Sequence, residues 1–93
     1  MAKYQLKLYL AGVTPDNQSM IIHFKELLNT ELNNDYSLEV IDVLENPELA
    51  EDEKILATPT VVRELSGDIK KFILDLDNNK SLLIGMNLIK SEN

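Results

Sequence analysis

The side chains able to do chemistry in these 93 residues are few: one histidine, His23, no cysteine, hydroxyls such as Tyr9 and Ser19, and sixteen carboxylates. Without thiols there is no disulfide exchange, thiolate nucleophile, iron–sulfur cluster or Cys-ligated zinc. One histidine cannot build a multi-histidine metal site. His23 sits on the flank of a helical stripe and reads as a half-exposed helix residue. Tyr9 and Ser19 could offer an activated hydroxyl, but no nucleophile–base–orienter set accompanies them. Tyr9 reads instead as an outward-facing strand residue. Glu48, Glu51, Asp52 and Glu53 could pair as acid and base, yet an exposed acidic helix explains them. Gly12, Gly67 and Gly85 form no phosphate-cradling loop. The expectation is a protein without catalysis, cofactor or bound metal.

The remaining composition narrows the partners. Nine Lys and Arg against sixteen Asp and Glu give a formal net charge of −7. Phosphate binding relies on clustered cations, so nucleic acid is a poor partner, and an anionic membrane surface is disfavoured for the same reason. No apolar run approaches the roughly 20 residues that span a bilayer, and Met1 to Gln5 carries no signal-peptide core. A cytoplasmic address is the default. Residues 1–93 are short enough for one domain with a modest core, which self-association would help.

The elements that must position these residues follow from periodicity. Tyr4, Leu6, Leu8 and Leu10 alternate with Lys3, Gln5, Lys7 and Tyr9, predicting a strand over about 3–10. Thr14-Pro15-Asp16 is a helix start, with a capping hydroxyl, a first-turn proline and an acid at the positive end of the macrodipole. Met20, Ile21, Phe24, Leu27 and Leu28 make one stripe of a helix over about 16–32, ended by Asn33-Asn34-Asp35. A β-branched strand follows over about 37–44, and strand–helix–strand predicts a parallel pair with a right-handed crossover. Asn46-Pro47-Glu48 begins a short acidic helix. Thr60 to Leu65 reads as a strand and Ser66-Gly67-Asp68 as a turn.

Beyond that turn two templates fit. Ile69, Phe72, Ile73 and Leu76 have helical spacing, while Phe72, Leu74 and Leu76 alternate as in a strand. Leu82, Ile84, Met86 and Leu88 alternate, while Leu82, Met86 and Ile89 make a helical stripe behind an Asp77-Asn78-Asn79 cap. Strand, helix, strand, short helix, then Thr58-Pro59-Thr60 opening another strand is the layout of a thioredoxin-like α/β domain. Redox members place two thiols at the start of the first long helix; the corresponding Val13 to Asn17 has none, so redox catalysis is excluded.

Several strings carry a more specific likeness. Leu6-Lys7-Leu8-Tyr9-Leu10-Ala11-Gly12 with Thr14-Pro15, Val40-Ile41-Asp42-Val43-Leu44 with Asn46-Pro47, Lys54-Ile55-Leu56-Ala57-Thr58-Pro59-Thr60, and Leu83-Ile84-Gly85 resemble the KaiB family, in order, across about 4–89. The resemblance implies a non-enzymatic regulator that binds the hexameric ATPase KaiC and adjusts its phosphorylation cycle. It also implies two alternative folds. One is a self-associated state, dimer or tetramer, in the order βαββααβ. The other is a thioredoxin-like monomer, βαβαββα, which docks on KaiC. The two templates after Asp68 correspond to these orders. A four-point helix from Ile69 and a four-point strand from Leu82 favour the self-associated order for the isolated chain.

Carried over residue by residue, the resemblance makes Tyr4, Ile84 and Gly85 determinants of the balance between folds and Pro59 a switching proline. Departures fall on the same balance: Leu74 replaces a family glycine, Asn87 an aspartate and Lys90 an aromatic, and Ser66-Gly67-Asp68 replaces a proline-rich turn. Partner contacts are implied at Asp16, Ser19, Glu39 and Glu45, of which the last three stand where the family carries basic residues. Like charges exclude partners that opposite charges steer. The expected partner is therefore a KaiC-like ATPase of altered surface, or another partner, with a pathway role in a clock, a timer or a stress response. The alternative is a free-standing, non-switching sensor or adaptor related to the thioredoxin-like input domain of the histidine kinase SasA.

Overall fold

The computed structural model describes residues 4–74. They form β1 (Tyr4–Leu10), α1 (Pro15–Leu32), β2 (Tyr36–Asp42), α2 (Pro47–Asp52), β3 (Thr60–Leu65) and β4 (Asp68–Ile73). The strands make one sheet in the order β2-β1-β3-β4. β1 and β2 run parallel, as the strand–helix–strand reading requires, and β3 is antiparallel to both β1 and β4. This is the thioredoxin-like α/β arrangement.

Local chemistry starts and stops α1 where the sequence predicts. The Thr14 hydroxyl accepts from the Asn17 amide at 3.1 Å, Pro15 opens the helix and Asp16 occupies its first turn. Asn33, in the left-handed region at φ 51°, ends it. The inner stripe buries Phe24, Leu28 and Leu32 against Leu6, Leu8 and Leu10 of β1, Val61 of β3 and Leu74. Each fully buried side chain of this kind contributes about 1.5–3 kcal/mol of transfer free energy. This cluster fixes the sheet beneath the helix.

Three expectations are corrected. β2 stops at Asp42 rather than near residue 44, because Asp42 gathers the next residues into a turn. Its Oδ1 accepts from the Leu44 amide at 3.0 Å, and its carbonyl accepts from the amides of Glu45 and Asn46. Tyr9 is not an outward-facing residue: it is 1% exposed, packed with Ile41 and Val62 on the sheet face away from α1, beneath Val43 and Ile55. The chain after α2 folds back over that face, which alternation within β1 cannot reveal.

The third correction concerns the helix expected from Ile69. Residues 68–73 are strand, paired with β3 from Leu65↔Asp68 to Thr60↔Ile73. Ser66 and Gly67 both have positive φ, 51° and 84°, the handedness of a two-residue hairpin turn. The chain therefore reverses at once instead of starting a helix. The supposed stripe is split, since Phe72 packs on the α1-side core while Ile69 and Ile73 lie on the other face, both more than half exposed. The helix-first order favoured for the isolated chain is thus not the order of this segment. The spacing of Leu82 to Leu88, together with Ile84, Gly85, Asn87 and Lys90, lies outside the described residues.

Candidate functional site

At the C-terminal end of the parallel strands, the loop after β1, the start of α1 and the turn after β2 are tied together by polar contacts. Asp42 Oδ1 accepts from the Gly12 amide at 2.9 Å as well as from Leu44. Asn17 Nδ2 donates to the Gly12 carbonyl at 2.8 Å and to that of Ala11 at 3.3 Å. Gly12 has φ 93°, a left-handed backbone conformation that side-chain-bearing residues rarely adopt, so the turn there favours glycine. The result is a rigid corner with an apolar rim of exposed Val13, Val40 and Leu44.

The residues expected to contact a partner distribute over this corner and the adjoining strand. Asp16 and Ser19 are exposed on the first turns of α1, and Glu45 is exposed in the turn after Asp42. Glu39 lies apart from them on β2, in register with Lys7 and on the face opposite α1. There a groove of about 420 Å³ is lined by residues including Gln5, Lys7, Glu39, Glu53 and Glu64. Lys7 Nζ pairs with Glu53 Oε1 at 3.4 Å, and Lys71 Nζ donates to the Glu53 carbonyl. Glu53 thereby fastens the segment after α2 to β1 and β4.

Electrostatics on this face are governed by those neighbours. Burial works against the Lys7 charge, but Tyr9, Glu53 and Glu39 outweigh it and hold the ammonium above the ordinary lysine value. Burial also pushes the Tyr9 phenol up, with Glu53 and Glu39 adding to the shift and Lys7 opposing it. A phenol held protonated here is no nucleophile. Tyr9 and Ser19 do not converge, since one is buried on the open-face side and the other is exposed on α1. At the position where a redox relative carries thiols, the Thr14 hydroxyl is engaged as a helix cap. Glu48, Glu51 and Asp52 are exposed on α2, and His23 is exposed on α1.

Of the residues expected to set the fold balance, Leu74 and Tyr4 belong to the core beneath α1, and Pro59 is hydrogen-bonded to Leu74. The Leu74 amide donates to the Pro59 carbonyl at 3.0 Å, Leu74 is buried, and Tyr4 packs against the same cluster. The Thr58–Pro59 bond is cis. Sequence reasoning missed the Asp42 hub and the Lys7–Glu53 pair. An acid at the end of an otherwise apolar-alternating strand was a usable signal for Asp42. A pair separated by 46 positions leaves none.

The corner and sheet can be compared with known proteins. A family model described as the KaiB domain matches residues 7–88. The chain belongs to the KaiB family. Its relatives include the circadian clock oscillator protein KaiB of Trichodesmium erythraeum, 47% identical over 89 residues that cover 96% of this chain and 86% of the relative. That of Prochlorococcus marinus is 45% identical, with 96% and 76% covered. KaiB proteins are a regulatory, non-enzymatic family. Among solved structures, the N-terminal domain of Synechococcus elongatus SasA superposes with a TM-score of 0.73 at 24% identity, covering all of this chain and 90% of that domain. Mitochondrial thioredoxin 3 of Saccharomyces cerevisiae gives 0.70 at 22% identity, covering 95% and 80%. At such identities the likeness is one of fold. Among the described residues, no KaiB helix here is long and apolar enough to cross a membrane.

Proposed function

We propose that this KaiB-family chain is a regulator that docks on a KaiC-like ATPase and modulates its phosphorylation or activity, in a clock, a timer or a stress-response pathway. The observation that carries the reading is the family match over residues 7–88, joined to a βαβαββ order through Ile73. That order is the one the KaiB resemblance associates with docking. In this reading residues 1–93 act as a single cytoplasmic domain, and Asp16, Ser19, Glu39 and Glu45 form the partner surface. Tyr4, Pro59, Leu74, Ile84, Gly85 and Asn87 set the balance between the docking form and a self-associated dimer or tetramer.

Because Ser19, Glu39 and Glu45 stand where relatives carry cations, the partner has a surface of altered charge. A titration against a cyanobacterial-type KaiC tests this. The wild-type chain binds weakly, and the double variant Glu39→Lys, Glu45→Lys binds about three- to tenfold more tightly, the scale of two rim charges. Tight binding by the wild type, unchanged in the variant, overturns the altered-surface reading. A second reading, a non-switching adaptor like the SasA input domain, draws on the fold likeness at TM-score 0.73. It requires a monomer at all concentrations whose residues 68–89 keep one structure by NMR, whereas the leading reading requires a concentration-dependent oligomer in which those residues change structure.

A further inference from the structure

Arg63 is the largest of the fully buried side chains among the described residues, 1% exposed in the middle of β3. A guanidinium stays charged at every relevant pH, so its burial demands a counter-charge. Its register partner on β4 is Lys70, a like charge directly across the ladder, which is unfavourable. The anion comes instead from the diagonal: Arg63 Nη2 donates to Asp68 Oδ2 at 2.8 Å, while Arg63 Nε has no partner. Asp68 is the first residue of β4 and follows the positive-φ pair Ser66 and Gly67. Its carboxylate is 61% exposed. Among the described residues a buried cation therefore depends on one peripheral anion, placed at the start of a segment whose spacing fits a strand or a helix.

We propose that the Arg63–Asp68 pair is a clasp that holds residues 68–73 as a strand in this register. The Arg63 charge is neutralised when β4 returns along β3 from Asp68, and across the β3–β4 ladder it faces the like charge of Lys70 when the carboxylate is removed. Asp68 thus adds to the Ser66–Gly67 turn a charge-based bias toward the strand template, whatever partner the protein binds.

Amide hydrogen exchange on the full chain tests the clasp, reading the β3–β4 ladder against the β1–β2 ladder. Asp68→Asn lowers protection of the β4 amides by about tenfold or more, the scale of an uncompensated buried charge discounted for the exposed carboxylate. The β1–β2 amides change by less than about threefold. The double variant Arg63→Met, Asp68→Asn, which removes the charge as well as its partner, returns β4 protection to within about threefold of wild type. Unchanged β4 protection in Asp68→Asn, an equal loss in both ladders, or a double variant no better than the single one overturns the clasp. Should Asp68→Asn leave no folded chain, the double variant decides alone: wild-type β4 protection supports the clasp and its loss overturns it.

Discussion

Lys7 and Tyr9 occupy consecutive same-face positions of β1, and both hold their protons more tightly in the folded chain than in the unfolded one. A raised folded-state pKa contributes stability that is complete below the unfolded value and lost as pH rises through the folded value. The urea midpoint is therefore level from neutral pH to about 9 and falls above about 10, where both groups titrate in the unfolded chain. Tyr9→Phe removes the phenol's share, so its midpoint falls less steeply across that alkaline range; an unchanged slope assigns the fall to Lys7 alone. Of the residues carrying this behaviour, Lys7 was legible as a strand residue. Its partner Glu53 was not, because only the return of the chain after α2 brings the two together.

Among the elements, α1 and β4 differ in what determines them. α1 has a cap, a first-turn proline, a single apolar stripe and a stop signal that agree with one another. Its cap and its packing differ in weight. Thr14→Ala lowers the stability measured by urea unfolding by about 1 kcal/mol, whereas Phe24→Ala, at a fully buried position, lowers it by about 3–5 kcal/mol. Equal effects would show that the helix is held by its end rather than by its face. β4 has no such agreement, since Ile69, Phe72 and Ile73 satisfy a helical stripe as well as they satisfy alternation. The left-handed pair at Ser66 and Gly67 and the ladder to β3 settle it.

At the scale of the whole molecule, a small core and a net charge of −7 oppose one another. The core gains from self-association, while like-charged copies repel. Light scattering is expected to show a dimer or tetramer whose fraction grows with protein concentration and with added salt, which screens the repulsion. A monomer unchanged by salt at high concentration would contradict the self-associating reading. The sequence by itself determined the parallel pair around α1, the absence of thiol chemistry and the family, because each rests on residue types, short-range periodicity or contiguous strings. Tertiary structure alone decided the burial of Tyr9, the Asp42 corner, the Glu53 fastening and the strand state of residues 68–73. Each of these depends on groups far apart in the chain, or on a choice between templates that are locally degenerate, and only packing the elements together lifts that degeneracy.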